Sequence, residues 1–175
     1  MNNIIKPLMR KTKVIIFDRD NTLTVDKGYT NKIDDLRFLP GVIKSLSFLS
    51  EKKIKIYVAT NQSGIARGLF KKRDMFKFHN KMNQILKKNN SMIKKFYYCP
   101  HHIDGTVKIY KKNCKCRKPK KLLLEKIKKE NKNLKILMIG DKITDKIASK
   151  NANIKFRYKK KKFYKQIKYL VNNFF

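Results

Sequence analysis

Residues 14–22 read VIIFDRDNT, four consecutive apolar residues followed by Asp18 and Asp20. A short, uninterrupted apolar run is the pattern of a strand buried on both faces, as in a parallel sheet. Side chains two apart in an extended segment point the same way, so Asp18 and Asp20 share one side of the chain. Two neighbouring carboxylates are unfavourable unless a cation or a proton offsets them. The same residues also suit a polar turn in which Asp20 caps a helix.

Working outward, four further runs read as strands: 54–60 (IKIYVAT), 96–99 (FYYC), 134–140 (LKILMIG) and 154–158 (IKFRY). Helical spacing appears between them. Val42, Ile43, Leu46 and Leu49 line one face over residues 41–50, after Pro40. Met75, Phe78, Met82, Ile85 and Leu86 do so over residues 73–88. Residues 122–129 and a basic segment near 163–170 complete the helices. Strands alternating with helices predict an α/β fold, a doubly wound, Rossmann-like parallel sheet. Ligands of such sheets sit beyond the carboxyl ends of the strands, where Asp18, Thr60 and Asp141 fall. There is no internal repeat, and the KKKK run at 159–162 reads as a solvated turn.

The chain has only 12 acidic residues, yet Asp141 and Asp145 follow the 134–140 strand in GDKITD, 140–145. Carboxylates from separate strand ends are ligands that magnesium prefers, with water and a phosphate completing its shell. Thr60, Asn61, Gln62 and Ser63 offer a hydroxyl and amides to phosphate oxygens, or alternatively a helix cap.

At 175 residues with 41% hydrophobic content, one domain with a real core is expected, spanning 1–175. Met1 to Arg10 lack a signal-peptide run, and no stretch approaches a membrane span, so a soluble cytoplasmic protein is the expectation. The formal net charge of +34 invites a nucleic-acid reading. However, 39 Lys against 7 Arg, scattered from end to end among 16 Asn, fits compositional drift better than a dedicated face. Nucleic-acid recognition leans on the arginine fork, so no specific nucleic-acid partner is expected. A positive field still draws in phosphorylated substrates.

Three cysteines cannot all pair within the chain, and Cys114 and Cys116 are too close to bridge without strain. Cys99-Pro100-His101 and Cys114-Lys115-Cys116 together supply three thiolates and one imidazole, a closed tetrahedral set for structural zinc within a loop spanning 99–116. His102 competes with His101 as the nitrogen ligand, and free thiols beside a surface histidine are the simpler alternative.

Asp18-Arg-Asp-Asn-Thr22, Thr60-Asn-Gln-Ser-Gly64, Arg117-Lys-Pro119 and Gly140-Asp-Lys-Ile-Thr-Asp145 occur in the order found in the haloacid dehalogenase superfamily of phosphatases, which this chain resembles. Val25-Asp-Lys-Gly-Tyr29, Asn61 to Gly68 (NQSGIARG) and Tyr98-Cys-Pro-His-His102 resemble its heptose bisphosphate phosphatase branch. The likeness covers roughly residues 13 to 158.

That resemblance implies a Mg2+-dependent phosphatase in which Asp18 is the nucleophile and forms an aspartyl-phosphate. Asp20 is implied as the acid that protonates the leaving sugar oxygen, then as the base for water. Asp18, the Asp20 carbonyl and Asp141 are the implied magnesium ligands, and Thr60 and Lys118 steady the transferring phosphoryl group. Substrate contacts are implied for Asp26, Lys27, Gly28, Tyr29, Arg117 and Lys142, and more weakly for Arg67. The cofactors are then catalytic Mg2+ and structural Zn2+, and the partner is a small phosphorylated sugar met by a monomer. No gap between the motifs has room for a large cap domain. Two departures stand out. Asn21 occupies a position where glycine is common, which asparagine's tolerance of unusual backbone angles accommodates. The stretch after Pro119 resembles instead the histidinol-phosphate phosphatase branch, the alternative substrate. A basic nucleic-acid-binding protein on an inactive scaffold is the alternative of another class.

Overall fold

The structure, a computed structural model, describes residues 13–175. The reading of Met1 to Arg10 therefore concerns residues outside that range. Five strands, β1 (Lys13–Phe17), β2 (Lys55–Asn61), β3 (Lys95–Cys99), β4 (Lys135–Gly140) and β5 (Lys155–Tyr158), form one sheet in the order β3-β2-β1-β4-β5. Every pairing is parallel, with Ile16 opposite Tyr57 on one side and Met138 on the other. The strands lie within one residue of where the apolar runs place them. Five helices connect and cover them: α1 (Val42–Glu51), α2 (Lys72–Lys87), α3 (Leu122–Glu130), α4 (Ile143–Asn151) and α5 (Phe163–Asn173).

Alternation along β1 shows why the sheet is covered twice. Ile15 and Phe17 face a core built with Val42, Leu46 and Leu49 of α1, Phe78, Met82 and Leu86 of α2, and Phe163 and Ile167 of α5. Val14 and Ile16 face the opposite core, with Leu123, Leu124 and Ile127 of α3 and Ala148 of α4. Burying each such side chain contributes about 1.5–3 kcal/mol, so a polar residue at any of these β1 positions has no tolerable face.

α4 was not anticipated. Its Ile143 and Ile147 point to solvent while Asp145, Ala148 and Ser149 are buried, so apolar spacing gives no signal there. The chain leaves β1 toward β2 and β3, then returns to place β4 on the other side of β1. The crevice beyond the carboxyl ends of β1 and β4 is the topological switch point. Two loops overhang it, residues 18–41 and 100–121, each with a single turn of 3-10 helix, Ile33–Asp35 and Lys108–Tyr110. Among the described residues no helix is long and apolar enough to cross a membrane.

Candidate active site

Asp18 follows the last residue of β1, and its amide donates to the Ile139 carbonyl of β4 at 3.0 Å. That bond sets the two strand ends side by side. Asp18, Asp141 and Asp145 consequently place one carboxylate oxygen each within 4.8 Å of one another. Gly140 is what admits the third carboxylate, since a Cβ there would lie 2.3 Å from Asp145 Oδ2.

Lys118 answers this concentration of charge. It is almost fully buried, and its Nζ donates to Asp18 Oδ1 at 2.9 Å and to the Ala59 carbonyl at 2.7 Å. The same ammonium lies 2.5 Å from Asp145 Oδ1. Burial alone would lower the Lys118 pKa, but the Asp18 and Asp145 charges overcome it and hold the pKa above the ordinary value. Asp145 Oδ2 also accepts from the Lys142 amide at 3.1 Å, so its two oxygens face Lys142 and the Lys118 ammonium respectively. Asp141 accepts from Thr22 Oγ1 at 3.0 Å. Burial first, and then the Asp18 charge, raises the Asp141 pKa, with the Thr22 bond opposing. One lysine does not neutralise three carboxylates, and the all-oxygen donor set suits a hard divalent cation ligated by Asp18 and Asp141.

Asp20 is held at both oxygens: Arg19 Nε donates to Oδ1 at 2.7 Å and Gln62 Nε2 to Oδ2 at 2.8 Å. Burial raises its pKa despite the adjacent Arg19 charge. Asn21 adopts the left-handed region at φ 56°, as its chemistry allows, and its side chain accepts from the Asp26 amide.

The crevice is a cavity of about 440 Å³ lined by Asp18, Asp20, Asp26, Gly28, Tyr29, Thr60, Asn61, Gln62, Ser63, Arg117, Lys118 and Lys142. The structure thus brings together nearly all the residues singled out in the sequence. Asp141 joins the site through its carboxylate beside Asp18 and Asp145 rather than as part of the cavity wall, whereas Lys27 lines a neighbouring cavity with Asp34, Asp35 and Arg37. Two side chains of the Thr60–Ser63 stretch face inward. Asn61 pairs through both amide atoms with the Lys118 backbone, at 3.0 Å each, and Gln62 bridges Asp20 and Thr60 Oγ1. They order the site from behind. Arg19 and Thr22 are contributors without a sequence-derived role, and Asp145, offered by the sequence as a carboxylate of the metal site, instead pairs with Lys118. The spacing of Thr22 and Asp145 from the paired aspartates was visible, but buried pairing was not.

Beside the crevice, Cys99, Cys114 and Cys116 Sγ atoms lie 3.0–3.4 Å apart, with His101 Nδ1 3.3 Å from Cys116 and 3.7 Å from Cys99. Hydrogen bonds from Cys99, His101 and Cys114, opposed by burial, lower the Cys116 pKa to about 5. Four soft donors converging in this way fit a tetrahedral metal ion. His102 is not among them; its ring contacts Arg67 Nη2 at 3.2 Å. Arg67 therefore buttresses the loop.

Comparisons with known proteins point the same way. A family model described as polynucleotide kinase 3 phosphatase matches residues 13–170. The chain is 40% identical over 149 residues to D-glycero-beta-D-manno-heptose-1,7-bisphosphate 7-phosphatase of Haemophilus influenzae, covering 82% of this chain and 78% of that one. It is 38% identical over 146 residues to D-glycero-alpha-D-manno-heptose-1,7-bisphosphate 7-phosphatase of Campylobacter jejuni, covering 82% and 80%. Among solved structures it resembles D,D-heptose 1,7-bisphosphate phosphatase from B. bronchiseptica, complexed with magnesium and phosphate. The TM-score is 0.77 at 23% identity, over 92% of this chain and 99% of that one.

Proposed function

The chain belongs to the heptose 1,7-bisphosphate 7-phosphatase family of the haloacid dehalogenase superfamily and is a phosphatase, and we propose that it removes the 7-phosphate of D-glycero-D-manno-heptose 1,7-bisphosphate through an aspartyl-phosphate on Asp18. The observation that carries this reading is the meeting of Asp18 and Asp141 from two distant segments, with Lys118 buried against Asp18.

In the first step an Asp18 oxygen bonds phosphorus as the bond to the sugar oxygen breaks, and Asp20 gives that oxygen its proton. The raised Asp20 pKa favours the protonated form this step requires. In the second step water bonds phosphorus, gives its proton to Asp20, and the Asp18–phosphorus bond breaks. Thr60 and Lys118 offer donors to the equatorial oxygens throughout. Magnesium, held by Asp18, the Asp20 carbonyl and Asp141, would supply positive charge to those oxygens. Tyr29 and Gly28 line the crevice, as do Arg117 and Lys142, whose cations suit the rest of an anionic substrate.

Zinc is the metal we assign to Cys99, His101, Cys114 and Cys116. Zn–S bonds of about 2.3 Å imply donor separations of about 3.8 Å in a tetrahedron, slightly wider than the sulfur spacing here. Cys116 directly precedes Arg117 and Lys118, so the ion acts as a staple that orders both cations before substrate arrives. The protein is read as a cytoplasmic monomer of one domain whose site is covered by its own loops.

The test is phosphate release with magnesium from a panel: both anomers of the heptose bisphosphate, histidinol phosphate, and a 3′-phosphorylated oligonucleotide. Preference for a heptose anomer is expected. Preference for histidinol phosphate, or tight salt-sensitive oligonucleotide binding without turnover of any ester, overturns the reading.

A further inference from the structure

Arg19 is the largest fully buried side chain among the described residues, yet it lies between the two reactive aspartates in sequence and is not one of them. Its guanidinium reaches three ways. Nε holds Asp20 Oδ1 at 2.7 Å, Nη2 donates to the Thr30 carbonyl at 3.0 Å, and Nη1 meets His79 Nε2 at 3.2 Å. The second arm matters because Thr30 anchors the substrate loop: its amide donates to Asp26 Oδ1 at 2.9 Å and its hydroxyl accepts from the Lys27 amide at 3.0 Å. Asp20 and the Asp26–Thr30 loop therefore hang from one side chain.

The third arm fixes the other two. His79 belongs to α2, is buried, and stacks on Phe96 of β3 with ring centroids 4.2 Å apart and planes 9° from parallel. Phe78 packs under the guanidinium, 4.8 Å from its ring centroid. Arginine has only N–H donors, so His79 Nε2 is the acceptor and the ring is neutral, with its proton on Nδ1. Burial and the Arg19 charge both push the imidazole pKa well down, in agreement. The Nδ1 atom is buried with no partner among the described residues, a desolvation cost that an apolar side chain of similar size would avoid. A purely space-filling role does not account for a histidine here, whereas an acceptor for Arg19 does.

We propose that His79 is a positioning residue for the phosphatase reaction: it fixes Arg19, and through Arg19 it holds the Asp20 carboxyl and the Asp26–Thr30 loop in register with Asp18. The inference rests on the reading of Asp20 as acid and base. It predicts a loss that depends on the leaving group, because a sugar oxygen needs a proton from Asp20 and an activated phenolate does not.

The experiment compares kcat/KM, which ends at leaving-group departure, for the heptose bisphosphate and for p-nitrophenyl phosphate. Should the wild type favour another alkyl phosphate, that ester takes the place of the heptose. H79F keeps the stack on Phe96 and removes the acceptor. It is expected to lower kcat/KM about tenfold on the alkyl ester and much less on the aryl ester, while H79Q, which restores an acceptor, recovers most of the loss. R19K keeps a cation but cannot span all three partners, and it reproduces the same selective loss should H79F not fold. Equal loss on both esters, no loss, or an H79Q variant no better than H79F overturns the proposal. D20N separates the two levels. If D20N shows no leaving-group selectivity, the reading of Asp20 fails; if D20N shows it and H79F and R19K do not, only the role of His79 fails.

Discussion

Replacing Lys118 by methionine keeps the volume of the stem and removes the only ammonium in contact with the Asp18 and Asp145 carboxylates among the described residues. Breaking a buried pair by removing one partner costs about 3–5 kcal/mol, because the other charge stays buried and uncompensated. Here two carboxylates are stranded, Asp18 and Asp145, both under 10% exposed, with Asp141 beside them. For a chain of this length about 1 kcal/mol lowers the melting temperature by roughly 2–4 °C, so K118M in metal-free buffer should melt about 10 °C below wild type. Removing Asp145 as well takes away one stranded charge, so K118M/D145N should cost less than the sum of the single variants, by about 1–3 kcal/mol. Turnover should fall by roughly 10²–10³ in either case, since a donor to the transferring group is gone. The assay is a thermal melt in chelator alongside phosphate release in magnesium. A K118M protein melting within about 2 °C of wild type, or strictly additive variants, refutes the electrostatic account of the site.

Other perturbations probe separate parts. C116S is expected to lose bound zinc and melting temperature together, and to lower kcat/KM roughly tenfold or more by loosening Arg117 and Lys118; metal analysis and melts check this, and a fully metallated, equally stable variant contradicts it. With a net charge of +34, kcat/KM for an anionic ester should fall about tenfold as ionic strength rises from 0.01 to 0.15 M, where the screening length shrinks from about 30 to about 8 Å; a flat profile denies the field a role in capture. His79 is neutral when folded and takes a proton when unfolded below about pH 6.5, so the unfolded state binds more protons there and stability falls as pH drops. Denaturant melts should show about 1.4 kcal/mol lost per pH unit below that point from this group, and the contribution should vanish in H79F.

Much of this was legible in the sequence because the information sits in contiguous runs. The apolar segments before Asp18, Thr60 and Asp141 declare buried parallel strands, and the carboxylates at their ends then face one crevice by topology alone. The Cys99-to-Cys116 spacing declares its own ligand set, and the structure selects His101 over His102 by placing Nδ1 among the thiols. What stayed hidden is polar and buried. Arg19 and His79, sixty residues apart, meet only after α2 packs on the sheet, and arginine is ordinarily a surface residue. Asn61 and Gln62 have the chemistry of substrate donors, but only the fold reveals that they face Lys118, Asp20 and Thr60. α4 escaped notice because its two isoleucines lie on the exposed face and its buried face is polar.

The covalent step is the claim on which the mechanism stands. Mixing enzyme, magnesium and the heptose bisphosphate, quenching in acid within the first turnover and reducing with borohydride converts an aspartyl-phosphate to homoserine. Peptide mass spectrometry should find homoserine at position 18 and nowhere else, and none in D18N. Normal turnover with an unmodified position 18 at every quench time, or the label on another carboxylate, would contradict the account.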